Sequence, residues 1–167
     1  ALGDGVPERD LRVSRQHRVV AKSNIVTRMF GTDSVLVAAV RLIGLPGIYL
    51  EDAETELSYY HLILGAHQVI FAEGAATESF LVNAETRKQL SPSAWEEFRT
   101  LFPQAALPGF CEPTACPVPS QVVQRNLINR HIKNAQPVYR ASGPIDPVSG
   151  GDRSAALGDH AAELLQT

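Results

Sequence analysis

The sequence predicts a mainly β fold closed by two or three short helices at its C-terminal end. Residues 9 to 21 alternate as a strand does, with Leu11 and Val13 on one face and Val19 and Ala21 following a polar break at Ser14 to His17. Between residues 59 and 74, two apolar runs flank Gly65-Ala66, the pattern of a two-residue hairpin whose first turn residue needs positive φ. Beyond residue 90 the period becomes that of amphipathic helices.

Along the chain, residues 25 to 30 form a short apolar stretch, ambiguous between helix and strand, that stops at Gly31. Residues 35 to 40 read as a buried strand. Pro46 and Gly47 stand at the two central positions of a type II turn between Leu45 and Ile48. The polar run 51 to 58 is expected to be a loop leading into the hairpin. With Gly65-Ala66 as the turn, Tyr60, Leu62, Leu64 and His67 would share one face, and Tyr59, His61 and Ile63 the other.

Residues 83 to 89 start as a helix would. Ser91 suits the N-cap of the next one, with Pro92 at its first position and Trp95, Phe98, Leu101 and Phe102 as its buried stripe. Pro103 ends it, and residues 103 to 119, with five of the eleven prolines, read as an extended linker. A further helix spans 121 to 135, with Val122, Val123, Leu127 and Ile128 on its apolar side. Its Arg130, His131 and Lys133 suit a helix C-terminus as cations. From Ala141 onward Gly, Pro, Ser and Asp dominate until a weak helix at 155 to 165. Residues 1–140 are therefore expected to form one domain and residues 141–167 a flexible tail.

At 167 residues, 44% hydrophobic and 20% charged, the chain fits a single globular domain with room for a core. A net charge of -3 leaves no electrostatic footprint for nucleic acid. No apolar run approaches the roughly 18 residues of a membrane helix, and the first residues do not resemble a signal peptide. Neither a nucleic-acid nor a membrane partner is expected, and the sequence names no compartment. Cys111 and Cys116 stand at C-x4-C spacing without a second Cys or His pair, which favours free thiols over a zinc site or a local disulfide.

An ordered set of segments then carries a resemblance. Asp10-Leu11-Arg12-Val13-Ser14-Arg15-Gln16-His17-Arg18-Val19, Arg28-Met29-Phe30-Gly31, Val35-Leu36-Val37-Ala38-Ala39, Leu45-Pro46-Gly47-Ile48, the histidine segment 59 to 74 and Glu78-Ser79-Phe80 resemble the Hint (Hedgehog/intein) domains of bacterial proteins. The resemblance extends over about residues 1 to 140. It implies a Hint-like β fold and a family chemistry in which an opening Cys or Ser attacks the preceding carbonyl and turns that amide into a thioester or ester. A Thr/Ser-x-x-His motif assists, and Ser14 and His17 occupy its positions here. An amide is a poor electrophile with a poor leaving group, so its oxyanion must be stabilised and its nitrogen protonated. Histidine suits the proton transfer because its pKa lies near neutrality. The implied activity is autocatalytic peptide-bond cleavage by an N–S or N–O acyl shift, with the protein's own upstream polypeptide as substrate and no cofactor.

The departures shape the expectation. No Cys lies near the N-terminus, and the strand and turn that precede a segment like Ala1-Leu2-Gly3-Asp4-Gly5 in the family are missing. No His-Asn pair before a Cys, Ser or Thr closes the domain, so splicing is not expected. Gly65-Ala66 stands where relatives would carry an acidic turn residue. The chain is thus expected to be the C-terminal portion of a self-cleaving domain, inactive alone, which a complementing N-terminal segment could complete. The rival is a β-rich binding or interaction module that keeps the scaffold without the chemistry.

The candidate catalytic residues are Ser14, His17, His61, His67 and Glu78. Each has a plainer reading: Ser14 as a turn-former, His17 as a loop histidine, His61 as a satisfied core histidine, and Glu78-Ser79 as a solvated loop pair. On opposite faces of a two-residue hairpin, His61 and His67 could not share a metal ion, and none is expected. A hydrolase triad of Ser14, His17 and Glu78 lacks the G-x-S-x-G elbow that would host it.

Overall fold

β1 (Arg18–Lys22) runs through the centre of the main sheet, and its burial explains its Val-Val-Ala run. The computed structural model describes residues 1–51, 60–88, 90–107, 110–141 and 162–166. α1 (Asn24–Phe30) follows β1 directly and resolves the ambiguous stretch as a helix. Its ends explain why: extended Ser23 accepts the Val26 N–H at 3.2 Å as N-cap, and Gly31 takes φ 69° as the left-handed C-cap. β2 (Ser34–Ala38) returns antiparallel to β1, from Arg18 opposite Ala38 to Lys22 opposite Ser34. The type II turn is present, with Gly47 at φ 76° and the Ile48 N–H donating to Leu45 O at 3.1 Å.

The hairpin expected at Gly65-Ala66 does not form. β3 (Tyr60–Ile63) pairs instead with the backbone of β6 (Ala162–Gln166), in a separate two-stranded sheet. The true hairpin joins β4 (Val69–Ala72) to β5 (Ala75–Glu78), with Ala72 opposite Ala75. Backbone geometry selects that site. Glu73 and Gly74 take φ of 48° and 74°, the two consecutive positive values a type I′ turn requires. Gly65 is not among the positive-φ glycines. β5 lies against β1 with Thr77 opposite Val19, giving the sheet order β2-β1-β5-β4. The face assignment for His61 and His67 falls with the expected hairpin.

α2 (Ala84–Arg87) begins with a reciprocal capping box between Asn83 and Thr86, and α3 (Pro92–Leu101) with the expected Ser91 cap. Ala94 and Phe98 of α3 are buried with Phe102, whereas Leu101, expected in the stripe, is 50% exposed. With Ile63, Phe80, Val82 and Leu90 these residues form a satellite core under β3. The stretch read as a linker is instead tied down. It contains a 3₁₀ turn at Pro103–Ala106, Cys116 lies fully inside the main core, and Pro117 O accepts the Leu36 N–H at 2.9 Å. Both cysteines are free thiols.

α4 (Gln121–Lys133) packs Leu127 and Ile128 into the main core with Val20, Val35 and Leu36, while Val122 faces solvent at 64% exposure. His131, expected to be a helix-terminal cation, is 1% exposed. Its Nδ1 lies 3.2 Å from Gln136 O and its Nε2 3.2 Å from Ser23 Oγ. The carbonyl can only accept, so the ring proton sits on Nδ1 and the Ser23 hydroxyl donates to Nε2. Ser23 thus caps α1 and anchors α4 at once. Ser23→Ala is therefore expected to cost about 2 kcal/mol in chemical denaturation, above a simple cap loss, because the His131 acceptor is orphaned as well. Beyond α4, the Val138 and Arg140 N–H groups donate to Leu2 O and Lys22 O, at 2.9 and 3.0 Å.

The mainly β architecture with short helices is the one expected. Among the described residues, no helix is long and apolar enough to cross a membrane. Of the weak helix expected at 155 to 165, the part before residue 162 lies outside the described residues, and the rest belongs to extended β6. Residues 142–161 and 167 of the expected tail also lie outside them.

Candidate functional site

Ser14 to His17 forms a turn, closed by the His17 N–H donating to Ser14 O at 3.1 Å. Two more backbone bonds, Ala39 N–H to His17 O at 2.8 Å and Val40 N–H to Arg15 O at 3.0 Å, fasten this turn to the end of β2. His17 is thereby delivered, half-buried, to the start of β1. Ser14 is also half-buried, but among the described residues no hydrogen bond joins its hydroxyl to His17.

The register of β1 against β5 places Glu78 beside this turn. Glu78 is 7% exposed and belongs to a strand, so the solvated-loop reading is overturned. Its Oε1 accepts the Arg18 N–H at 2.9 Å, and its Oε2 accepts Arg18 Nη1 at 2.9 Å and His67 Nε2 at 3.2 Å. The opposite nitrogen of His67, Nδ1, accepts the Ala115 N–H at 2.9 Å. A backbone N–H can only donate, so the His67 ring proton is on Nε2 and points at Glu78. With its side chain fully buried and both nitrogens engaged, His67 is a structural partner of Glu78. It has no free nitrogen for a substrate.

His61, half-buried on β3, packs its ring on Phe80 with centroids 4.8 Å apart. Burial lowers its pKa. Burial also lowers that of His17, with the Glu78 charge opposing and His61 and Arg18 adding to the drop. In Glu78, burial alone would raise the pKa, but the His67 and Arg18 hydrogen bonds and the Arg18 charge outweigh it and hold the carboxyl below its ordinary range. The structure thus gathers His17, His61, His67 and Glu78 about one point and adds Arg18. Arg18 went unnoticed in the sequence, although a charged residue opening an otherwise buried strand was the available signal. For Ala115 there was none.

A groove of about 610 Å³ adjoins the Ser14–His17 turn, reaching Arg15 and Val19 and walled by Leu11, Val13, Val40 and Ile48. Among the described residues, the backbone of residues 9–13 along its wall makes no hydrogen bond to other backbone. Among the described residues, no group of three or more His, Cys, Asp or Glu side chains is placed to hold a metal ion.

The titrating groups make a pH prediction. His17, His61 and buried His131 all have folded-state pKa values below their ordinary one, so the unfolded chain binds more protons in the window just below it. Their stabilising effect is complete above about pH 6.5 and is lost as pH falls through the lowered values. Glu78, also lowered, adds a second loss below its own ordinary value. The urea midpoint is expected to fall between about pH 7.5 and about pH 5, and again below about pH 4.5.

A family model for the Hint domain matches residues 1–84. No curated protein and no solved structure matches the chain. The matched region contains the Ser14–His17 turn, β1 to β5, His61, His67 and Glu78, which is the whole side-chain cluster just described. The chain belongs to the Hint domain family.

Proposed function

We propose that this chain carries the proton-transfer half of a bacterial-type self-processing site, which releases its own upstream polypeptide by an N–S or N–O acyl shift followed by attack of water on the resulting thioester or ester. The observation that carries this reading is the Ser-x-x-His turn. It presents a half-buried His17, with a lowered pKa and no hydrogen bond among the described residues on either ring nitrogen, beside Glu78 and His61. An imidazole in that state is neutral near pH 7, so it accepts the proton of an attacking Cys or Ser and then passes it to the departing amide nitrogen. The opening nucleophile and its strand would come from the upstream polypeptide, with the groove beside Arg15 and Val19 giving an extended segment room along the turn that carries His17. Ser14 is proposed to orient the substrate or the oxyanion from the same turn.

The test is the intact mass of the full-length gene product followed over time, beside a His17→Ala version. Spontaneous cleavage that slows strongly in the variant supports the reading. A precursor that stays whole in both forms would identify the chain as a Hint scaffold used for binding.

A further inference from the structure

The proposed function leaves one charged side chain of the cluster without a role. Arg18 meets Glu78 twice, through its backbone N–H on Oε1 and through its guanidinium on Oε2, both at 2.9 Å. Its side chain is 27% exposed and that of Glu78 is 8% exposed, so the pair is shielded from bulk water. His67 adds the third donor, and His67 is itself immobilised from behind by Ala115. A carboxylate has about four acceptor positions, and three are filled here by donors from β1 and from His67. Among the described residues, no hydrogen bond runs from Glu78 to His17, although the carboxylate lies close enough for its charge to act on that imidazole.

We propose that Arg18 is a positioning residue: by holding both Glu78 oxygens it keeps the carboxylate on His67 and off His17, leaving the His17 imidazole free for proton transfer. The inference rests on the proposed role of His17. Without the guanidinium, Oε2 loses a donor and Glu78 stands beside a histidine able to replace it. A His17–Glu78 ion pair would hold His17 protonated, and a protonated imidazole cannot take the nucleophile's proton. The other groups acting on His17 are His61 from β3 and Glu78 from β5, so the balance is set by few charges.

The 167-residue chain itself suffices for the test. Imidazole nitrogen NMR follows the titration of His17 in the parent, in Arg18→Met, in Glu78→Gln and in the double variant. Arg18→Met is expected to raise the His17 midpoint by about one pH unit as the carboxylate swings over. In the Glu78→Gln background the same Arg18 change is expected to move it by less than about 0.3 unit, because the effect runs through the carboxylate. An unchanged midpoint in a folded Arg18→Met chain overturns the proposal. So does an equal shift in both backgrounds, which would mean that the guanidinium acts only through its own charge. Should Arg18→Met not fold, Arg18→Lys replaces the fork with one ammonium and is expected to raise the midpoint by about half as much; no rise there overturns the proposal too. None of these readouts needs cleavage. A precursor that never processes, with the titration shifted as expected, would sink the proposed function and leave the positioning intact.

Discussion

A precursor bearing His17→Ala is expected to process itself at least about a hundredfold more slowly than the parent, the size of a lost general acid–base catalyst. Alanine removes an imidazole that is half-buried and free of hydrogen bonds among the described residues, a state that only His61 shares within the cluster. The neighbours cannot substitute for it equally. His67 has both nitrogens committed to Glu78 and Ala115, and His61 leans on Phe80 from another strand. Because burial lowers the His17 pKa, the parent rate is expected to fall with acidification only once pH drops below the ordinary imidazole range. That acid limb should be absent in the variant. Intact-mass time courses across a pH series read both effects. Cleavage unaffected by the substitution would move proton transfer elsewhere, with His61 the next residue to change.

Glu78→Ala is expected to be the most destabilising single change in the cluster, at about 3 kcal/mol by urea denaturation. Three donors end on this carboxylate: the Arg18 N–H, the Arg18 guanidinium and His67 Nε2–H. The alanine variant leaves all three facing a void, with His67 fully enclosed and unable to reach water. It also removes the side-chain clasp between β5 and β1, whose pairing register is a single residue pair, Val19 opposite Thr77. Glu78→Gln should cost less than half as much, since the amide oxygen still accepts from one donor. A loss no larger for alanine than for glutamine would show that the clasp contributes little.

The two changes act on different properties. His17→Ala is expected to leave the urea midpoint nearly unchanged, because its ring makes no hydrogen bond among the described residues. Glu78→Ala is expected to lower it by the amount above. Measuring both quantities for both variants separates the group that moves a proton from the group that holds the site together.

Local features of the fold were legible in the sequence because neighbouring residues decide them. Asn83 and Ser91 cap helices through their own side chains, Gly31 ends the apolar stretch before it in the left-handed conformation that a side chain resists, and Pro46-Gly47 makes a type II turn. The Ser14–His17 turn is equally local, closed by a bond between residues three apart. Even so, the hairpin that the sequence predicts at Gly65-Ala66 forms at Glu73-Gly74. Apolar runs flank both dipeptides, and periodicity does not reveal which backbone will take positive φ.

By itself, then, the sequence determined the mainly β class, the helix boundaries near residues 91 and 121, and the Ser-x-x-His turn with its attached histidine. Only the tertiary structure decided what that histidine faces. Arg18 reaches Glu78 across 60 residues of chain, Ala115 reaches His67 across 48, and Ser23 reaches His131 across 108. Those contacts made Glu78 a buried clasp, His67 a locked partner and His131 a neutral core residue. Hydrogen-bond partners and burial are set by which distant segments pack together, and no local spacing of residue types encodes that choice.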